Sequence, residues 1–184
     1  MPHITPEESF LIQAHALAEC LVKLGELEES KNPIISNNID QFFGQTGKMV
    51  AARGHSVFQG QGTLISVFYM LLVLPFEWEK NGIGDFKKFD LSGPDTVANN
   101  KAVVTRDTYK KKNQALKHFR NALSHGRISW TANNELVIKD RDDRNGYEYI
   151  ATYSMGSLGE LAQSLNMAVA NYIGSVIKQR PPED

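Results

Sequence analysis

The sequence predicts a mainly α-helical protein: a helical bundle of four to five helices with a small antiparallel β-meander inserted before the last helix. Two observations lead to this class. Apolar residues recur at three- and four-residue steps along much of the chain, which is the period of an amphipathic helix. Ahead of the last helical segment, this period changes to the alternation that is typical of half-buried strands. The length of 184 residues fits one domain.

The first helix is predicted from a start signal followed by an apolar stripe. Thr5 can cap it, and Pro6 suits the first helical position. The stripe consists of Phe10, Ala14, Leu17, Leu21 and Leu24, and Asn32-Pro33 should end the helix. A short second helix is expected around Ile39, Phe42 and Phe43.

The most hydrophobic stretch, Leu64–Phe76, predicts a buried helix from about Thr63 to Trp78. Its 13 residues fall short of the roughly 20 that a membrane-crossing helix needs, so we expect a core helix and no membrane partner. From Glu79 to Arg106 no clean period appears. A structureless loop of that length is uncommon, so the segment is either functional or contains short helices.

The next helix is predicted over about residues 108–125 and carries five of the eight bases of residues 101–127. Asp107 or Thr108 should cap its start, and Gly126 should end it. Its apolar stripe is Leu116, Phe119 and Leu123.

Three short strands then form the predicted meander, over about residues 127–153. They are Arg127–Trp130, Glu135–Lys139 and Tyr147–Thr152, joined by turns at Asn133-Asn134 and Asn145-Gly146.

The last helix is predicted over about residues 157–179, with Ser157 and Glu160 forming a capping box. Its buried stripe should be Leu158, Leu161, Leu165, Val169, Tyr172 and Val176. Residues 1–180 would thus form a single domain and residues 181–184 a tail.

The charge is divided unevenly along the chain, although the net charge is -1. Residues 101–127 hold eight bases and one acid, a local charge of +7, while the rest of the chain holds 12 bases and 20 acids, or −8. A basic segment attracts polyanions such as RNA by displacing their counterions. The simpler interpretation is a solvated helix face.

The basic helix ends in the sequence His118-Phe-Arg120-Asn121-Ala-Leu-Ser-His125-Gly-Arg127. An arginine, a polar residue and a histidine five positions after the arginine, at a helix end, resemble the motif of the HEPN superfamily. The resemblance covers roughly Thr108–Gln179 and implies a HEPN-like helical bundle. It also implies a metal-independent endoribonuclease, often a dimer with a composite site, and in many members a toxin or defence protein.

Each motif residue has a chemical role in metal-free RNA cleavage. Histidine is the residue type whose ordinary pKa lies closest to neutrality, so His125 would serve as acid or base. Arg120 would hold the transferring phosphate, and Asn121 would orient the imidazole or the phosphate. Arg120 and His125 lie about 140° apart on an ideal helix. Either the helix therefore ends before His125 and turns it inward, or two protomers build the site. The RNA-binding residues would be Lys110, Lys111, Lys112, Lys117, His118 and Arg127.

Other interpretations remain for these residues. Arg120 would be a surface ion-pair residue and His125 a histidine at the negative end of a helix dipole. His118 would simply face solvent, and Arg127 would simply begin a strand. The motif would then belong to a non-catalytic HEPN module that binds RNA, a nucleotide or a protein.

The remaining features set expectations about partners and location. Some members carry a tyrosine two residues after the motif histidine that a partner enzyme adenylylates, and here that position is Arg127. We expect a homodimer, restrained by an antitoxin or another regulatory protein, with no metal and no other cofactor. The single cysteine, Cys20, and the absence of a signal segment lead us to expect a cytoplasmic protein. Asp140, Asp142 and Asp143 are interpreted as a solvated hairpin turn.

Overall fold

A computed structural model describes residues 5–29, 61–82, 89–109 and 114–177. Within these ranges five helices accompany a four-stranded antiparallel sheet, as the sequence predicts for a mainly α protein. The helices are α1 (Pro6–Glu29), α2 (Gln61–Lys80), α3 (Ser92–Lys101), α4 (Ala115–Ser124) and α5 (Met155–Tyr172). The strands are β1 (Val103–Asp107), β2 (Ile128–Trp130), β3 (Leu136–Asp142) and β4 (Tyr147–Tyr153).

Helix α1 begins as predicted, with Thr5 as its cap. The backbone N–H of Glu8 donates to the Thr5 hydroxyl at 3.2 Å, and the backbone N–H of Thr5 donates to the Glu8 carboxylate at 3.1 Å. This reciprocal arrangement is a capping box. The hydroxyl of Tyr172 on α5 donates to the other Glu8 oxygen at 2.9 Å, so the cap also joins α1 to the last helix. The predicted end at Asn32-Pro33 and the helix around Ile39 lie outside the described residues.

Helix α2 is the predicted apolar helix, with a π-helical segment at Tyr69–Val73. The N–H of Leu74 bonds to the carbonyl of Tyr69, five residues earlier. Pro75 has no N–H to offer the carbonyl of Leu71, and its ring crowds that carbonyl, which favours a widened turn. The part of α2 that follows the π-helical segment lines the site described below.

The length and composition of α2 also satisfy the requirements for crossing a membrane, with a mean hydropathy of 1.3. In the described part of the chain it is the one helix that does so, and 33% of the relevant window is buried in the protein. Phe68, Leu71, Leu72 and Val73 are fully buried, as expected of a core helix.

The segment without a clean period contains both a helix and a strand. Helix α3 fills part of it, which confirms the prediction of a hidden short helix. Strand β1 follows and pairs with β4, so the sheet order is β1-β4-β3-β2 and the predicted meander gains a fourth strand. The prediction that Asp107 or Thr108 caps the next helix is therefore wrong. Asp107 ends β1, and Thr108 exchanges hydrogen bonds with Glu148 on β4.

The three predicted strands are confirmed, and both predicted turns contain a residue with positive φ. These are Asn134 at 59° and Gly146 at 68°, a conformation that asparagine and glycine accept most readily. The predicted start of the last helix is wrong, because Ser154 rather than Ser157 caps α5. The Ser154 hydroxyl accepts the N–H of Ser157 at 3.1 Å. Glu160 instead forms an ion pair with Lys101 of α3.

The core has two adjoining parts. The larger lies between the sheet and α2 to α5, and the smaller joins α1 to α2 and α5. The predicted stripes of the last two helices are buried in them: Leu116, Phe119, Leu123, Leu158, Leu161, Leu165, Val169 and Tyr172. The side chain of Val176 lies outside the described residues. Burial of these stripes holds α4 between the sheet and α2, where both can contribute to one site.

Candidate functional site

The end of α4 fixes where the predicted motif residues lie. Gly126 adopts a φ of 63°, and the N–H of Arg127 donates to the carbonyl of Ala122 at 2.8 Å. This is a Schellman ending, in which glycine takes the left-handed position. The α-helix therefore ends at Ser124, and the backbone has already turned at His125. The His125 side chain is exposed and is not turned inward.

Arg120 is half-buried and held on two sides. Its guanidinium Nη2 donates to Oδ1 of Asn121 at 2.7 Å, and its central carbon lies 4.4 Å from the centre of the Phe76 ring. Burial lowers the pKa of Arg120, while the nearby carboxylates of Glu77 and Asp140 raise it. A guanidinium nevertheless stays charged at physiological pH. The result is a fixed positive charge beside α2.

Asn121 connects this arginine to a buried acid. Its amide Nδ2 donates to Oδ2 of Asp140 at 3.1 Å, and Nδ1 of His118 donates to the same oxygen at 2.8 Å. Asp140 is only 5% exposed and His118 only 2%. Burial alone would raise the pKa of Asp140, but the hydrogen bonds from His118 and Asn121 outweigh it, so that pKa lies below its ordinary value. The four side chains form one hydrogen-bonded chain, which we call the Arg120–His118 network.

Four aromatic rings, including His118 of this network, form a column. His118 stacks on Tyr149 with centroids 4.2 Å apart and planes 15° apart, and Tyr109 lies 4.6 Å from the other side of His118. Tyr147 follows at 5.5 Å from Tyr109. The column therefore runs from Tyr149, which is 4% exposed, to Tyr147, which is 37% exposed.

Two open clefts meet at Asn121 and His125, which line both. The hairpin cleft, of about 860 Å³, lies between α4 and the β3–β4 hairpin, with Lys117, Tyr109 and Tyr147 in its walls. The helix cleft, of about 740 Å³, lies between α4 and the second half of α2 and contains Arg120. The π-helical segment contributes Tyr69 and Val73 to the helix cleft, and the turn after it contributes Phe76 and Glu77.

The structure brings part of the predicted RNA-binding set to these clefts. Lys117 is exposed and lines the hairpin cleft, whereas Lys110, Lys111 and Lys112 lie outside the described residues. Arg127 precedes β2 and donates to the carbonyl of Arg141 at 2.7 Å and to the Asp143 carboxylate at 3.2 Å.

His118 requires a correction. The alternative in which it faces solvent is wrong, because it lies between two tyrosine rings and donates to a buried carboxylate. The His118 side chain also lines the hairpin cleft, and its predicted contact with RNA stays a prediction. Through Asp140 and Asn121 it is also connected to Arg120.

The basic segment is partly neutralised by acids from elsewhere in the chain. Of the five bases of this segment that the structure describes, three form ion pairs, at 2.7, 2.9 and 3.2 Å. These pairs are Lys101–Glu160, Arg106–Glu148 and Arg127–Asp143. The sequence-based charge of +7 therefore overstates the positive field at both ends of the segment.

Sequence reasoning missed Asp140 and Phe76. Asp140 was assigned to a solvated turn, but it lies in β3, where Leu136, Ile138 and Asp140 occupy the same inward face. The signal was present, since extending the predicted strand by one residue continues the alternation to Asp140. An inward-facing acid requires a partner, and His118 is that partner. Phe76 reaches Arg120 only through the packing of α2 on α4, for which no local signal exists.

Comparison with known proteins adds one finding. The model of the family described as HEPN pEK499 p136 matches residues 12–175. The chain belongs to this HEPN family. The predicted HEPN resemblance is thus confirmed, and the matched range contains all of the motif residues and both clefts. No curated protein and no solved structure matches the chain.

Proposed function

We propose that this HEPN protein is a metal-independent endoribonuclease that acts as a homodimer. This proposal rests on the position of His125, which is exposed where the two clefts meet, next to the Arg120–His118 network. An immobilised arginine and an accessible imidazole are the groups that metal-free phosphoryl chemistry requires.

The proposed reaction begins with the ribose 2′-hydroxyl. His125 accepts its proton while the 2′-oxygen attacks the neighbouring phosphorus, and the bond to the 5′-oxygen breaks. A second group, which acts as an acid, protonates the departing 5′-oxygen. The products are a 2′,3′-cyclic phosphate and a 5′-hydroxyl. Arg120 stabilises the charge that develops on the phosphate. Asn121 is a positioning residue, because both ends of its amide are engaged by Arg120 and Asp140.

The homodimer follows from the need for two proton-transfer groups. Each chain presents one motif histidine, and two copies related by a two-fold axis would present two. Light scattering on the purified protein tests this part. We expect twice the mass of the chain, and a monomer mass at working concentration would contradict the composite site.

A second function is favoured by one observation. Arg120 stacks on Phe76 and bonds to Asn121, which are contacts that an arginine with a purely structural role would also make. On this alternative the protein is a non-catalytic HEPN module that binds RNA, a nucleotide or a protein.

Cleavage of RNA in the presence of excess EDTA separates the two functions. Wild type should cleave and leave 2′,3′-cyclic ends, and Arg120→Ala and His125→Ala should lose most of this activity. Lys23→Ala serves as the matched control, since Lys23 is an exposed base on α1 paired with Glu26. Binding without cleavage in wild type would overturn the ribonuclease. Equal cleavage by all variants would point to a contaminating nuclease and would overturn the site.

We also propose a role as a toxin or defence effector held inactive by an antitoxin or another regulatory protein. The support is the HEPN membership and the motif. Induced expression of wild type should arrest growth, and expression of the His125→Ala variant at an equal level should not. Equal growth in both cultures would contradict this role.

A further inference from the structure

The aromatic column ends at a ring that faces solvent inside the hairpin cleft. Tyr147 is 37% exposed, and it shares this cleft with Asn121 and His125. We infer that Tyr147 is a stacking platform for one nucleobase of single-stranded RNA. This inference rests on the proposed ribonuclease function and assigns a substrate subsite to the cleft beside the motif.

Hydrogen bonds hold the chain beside the column in place. The backbone N–H of Tyr109 donates to the Asp107 carboxylate at 2.9 Å. The hydroxyl of Thr108, the residue before Tyr109, accepts the N–H of Glu148 at 2.7 Å. This bond connects the chain next to Tyr109 with the residue that follows Tyr147 in β4. A platform that is already ordered loses little conformational entropy when a base stacks on it.

The formal charges of the hairpin cleft add no net attraction for a phosphate. Its formally charged lining residues balance in sign, with the bases Lys117, Arg141 and Arg144 and the acids Asp140, Asp142 and Asp143. The acids are engaged within the protein: Asp140 by His118, Asp142 by Asn145, and Asp143 by Arg141. Arg120, the immobilised cation, lies in the other cleft. This division places a base on Tyr147 and the cleaved phosphate toward Arg120 and His125.

Stacking explains recognition without a strong base preference. Every nucleobase has a π-face, so an aromatic platform accepts all four. The subsite would therefore select for an unpaired nucleotide next to the cleaved bond, since a paired base must first be unpaired and unstacked, at a cost of a few kcal/mol, before it can stack on Tyr147. The predicted substrate is a single strand or a loop.

Binding to a non-cleavable RNA tests this inference. The probe is a 2′-O-methyl RNA oligonucleotide, together with a series in which one position at a time is abasic. Tyr147→Leu, which keeps an apolar side chain without a π-face, should weaken binding of the intact probe by about 5- to 150-fold. Tyr147→Phe is the matched control, because it keeps the ring and should bind within about 2-fold of wild type. At one abasic position, wild type and Tyr147→Leu should bind equally.

The opposite outcomes are equally distinct. One contrary outcome is that Tyr147→Leu binds the intact probe as tightly as wild type does. Another is that its affinity stays below that of wild type by the same factor for every abasic probe. Either outcome would show that no base stacks on Tyr147 and that the ring only packs on Tyr109. Because the probe cannot be cleaved, binding is judged apart from catalysis. RNA binding with the abasic pattern but no cleavage of native RNA overturns the ribonuclease and supports the platform. Cleavage of native RNA without the abasic pattern in binding supports the ribonuclease and overturns the platform.

Discussion

His118 on α4 and Asp140 on β3 are joined by a hydrogen bond of 2.8 Å, with both side chains almost fully buried. This bond connects the motif helix to the sheet, and through Asn121 it extends to Arg120. The position of the motif arginine therefore depends on a strand that lies outside the motif.

Removing the buried acid should destabilise the protein. Asp140→Ala leaves the donors of His118 and Asn121 without their acceptor, and we expect the free energy of unfolding to fall by about 2–4 kcal/mol. Asp143→Ala is the matched control, because Asp143 lies three residues away and makes exposed ion pairs, which contribute about 0–1 kcal/mol. Urea unfolding measures both. Equal losses in the two variants would show that the buried bond contributes little.

Asp140 should also give a pH-dependent contribution to stability. Its pKa is lower in the folded protein than in the unfolded chain, so its contribution is present above the unfolded pKa of about 4 and is lost as the pH falls through the folded value. The stability difference between wild type and Asp140→Asn should therefore be larger at pH 6 than at pH 3. Unfolding curves at a series of pH values measure it. A difference that grows below pH 4 would contradict the lowered pKa.

The glycine that ends α4 should be sensitive to a single methyl group. At Gly126 a Cβ would meet nothing within 4 Å, so the cost of Gly126→Ala comes from the φ of 63° alone, about 1–2 kcal/mol. Gly159→Ala is the control, since this helical glycine also has open space and should gain about 0.5–1 kcal/mol. Thermal unfolding compares the two. Equal shifts in melting temperature would mean that the left-handed turn carries no strain for alanine.

The contact between Arg120 and Phe76 should appear as a coupling energy. A guanidinium over an aromatic ring contributes about 0.5–2 kcal/mol, according to its exposure. A double-mutant cycle with Arg120→Ala and Phe76→Leu, followed by denaturant unfolding, measures this coupling directly. If the losses in the free energy of unfolding are additive, the Phe76 ring only fills space, and Arg120 does not lie over it in solution.

Local signals predicted the elements whose apolar pattern coincides with burial. The stripe of α5 from Leu158 to Tyr172 follows the helical period, and β3 alternates from Leu136 to Asp140, so each pattern indicates its element. Strand β1 was missed because all five of its residues are exposed. A strand with no buried face shows no alternation, and only its pairing with the distant β4 defines it.

The site was predictable where one helix supplies it and not where several elements meet. Arg120, Asn121 and His125 follow from a short motif on α4. Phe76, Tyr109 and Tyr147 come from three other parts of the chain, and their contacts exist only after the core has packed. The caps of α5 show the same limit at short range. Ser154 and Ser157 are both adequate caps by sequence, and the end of β4 at Tyr153 decides between them.

Because α2 contains a π-helical segment, the lining of the helix cleft depends on the direction in which the later side chains of α2 point, as well as on which residues they are. A π-turn holds about one residue more than an α-turn, so every side chain after Val73 is rotated by about 100° relative to an uninterrupted α-helix. That rotation directs Phe76 toward Arg120. A chain shortened by one residue within Tyr69–Val73 would retain Phe76 and the complete motif, and would nevertheless turn the ring away from the arginine. This wall of the cleft thus depends on the extra residue in the π-helical turn as much as on the identity of Phe76.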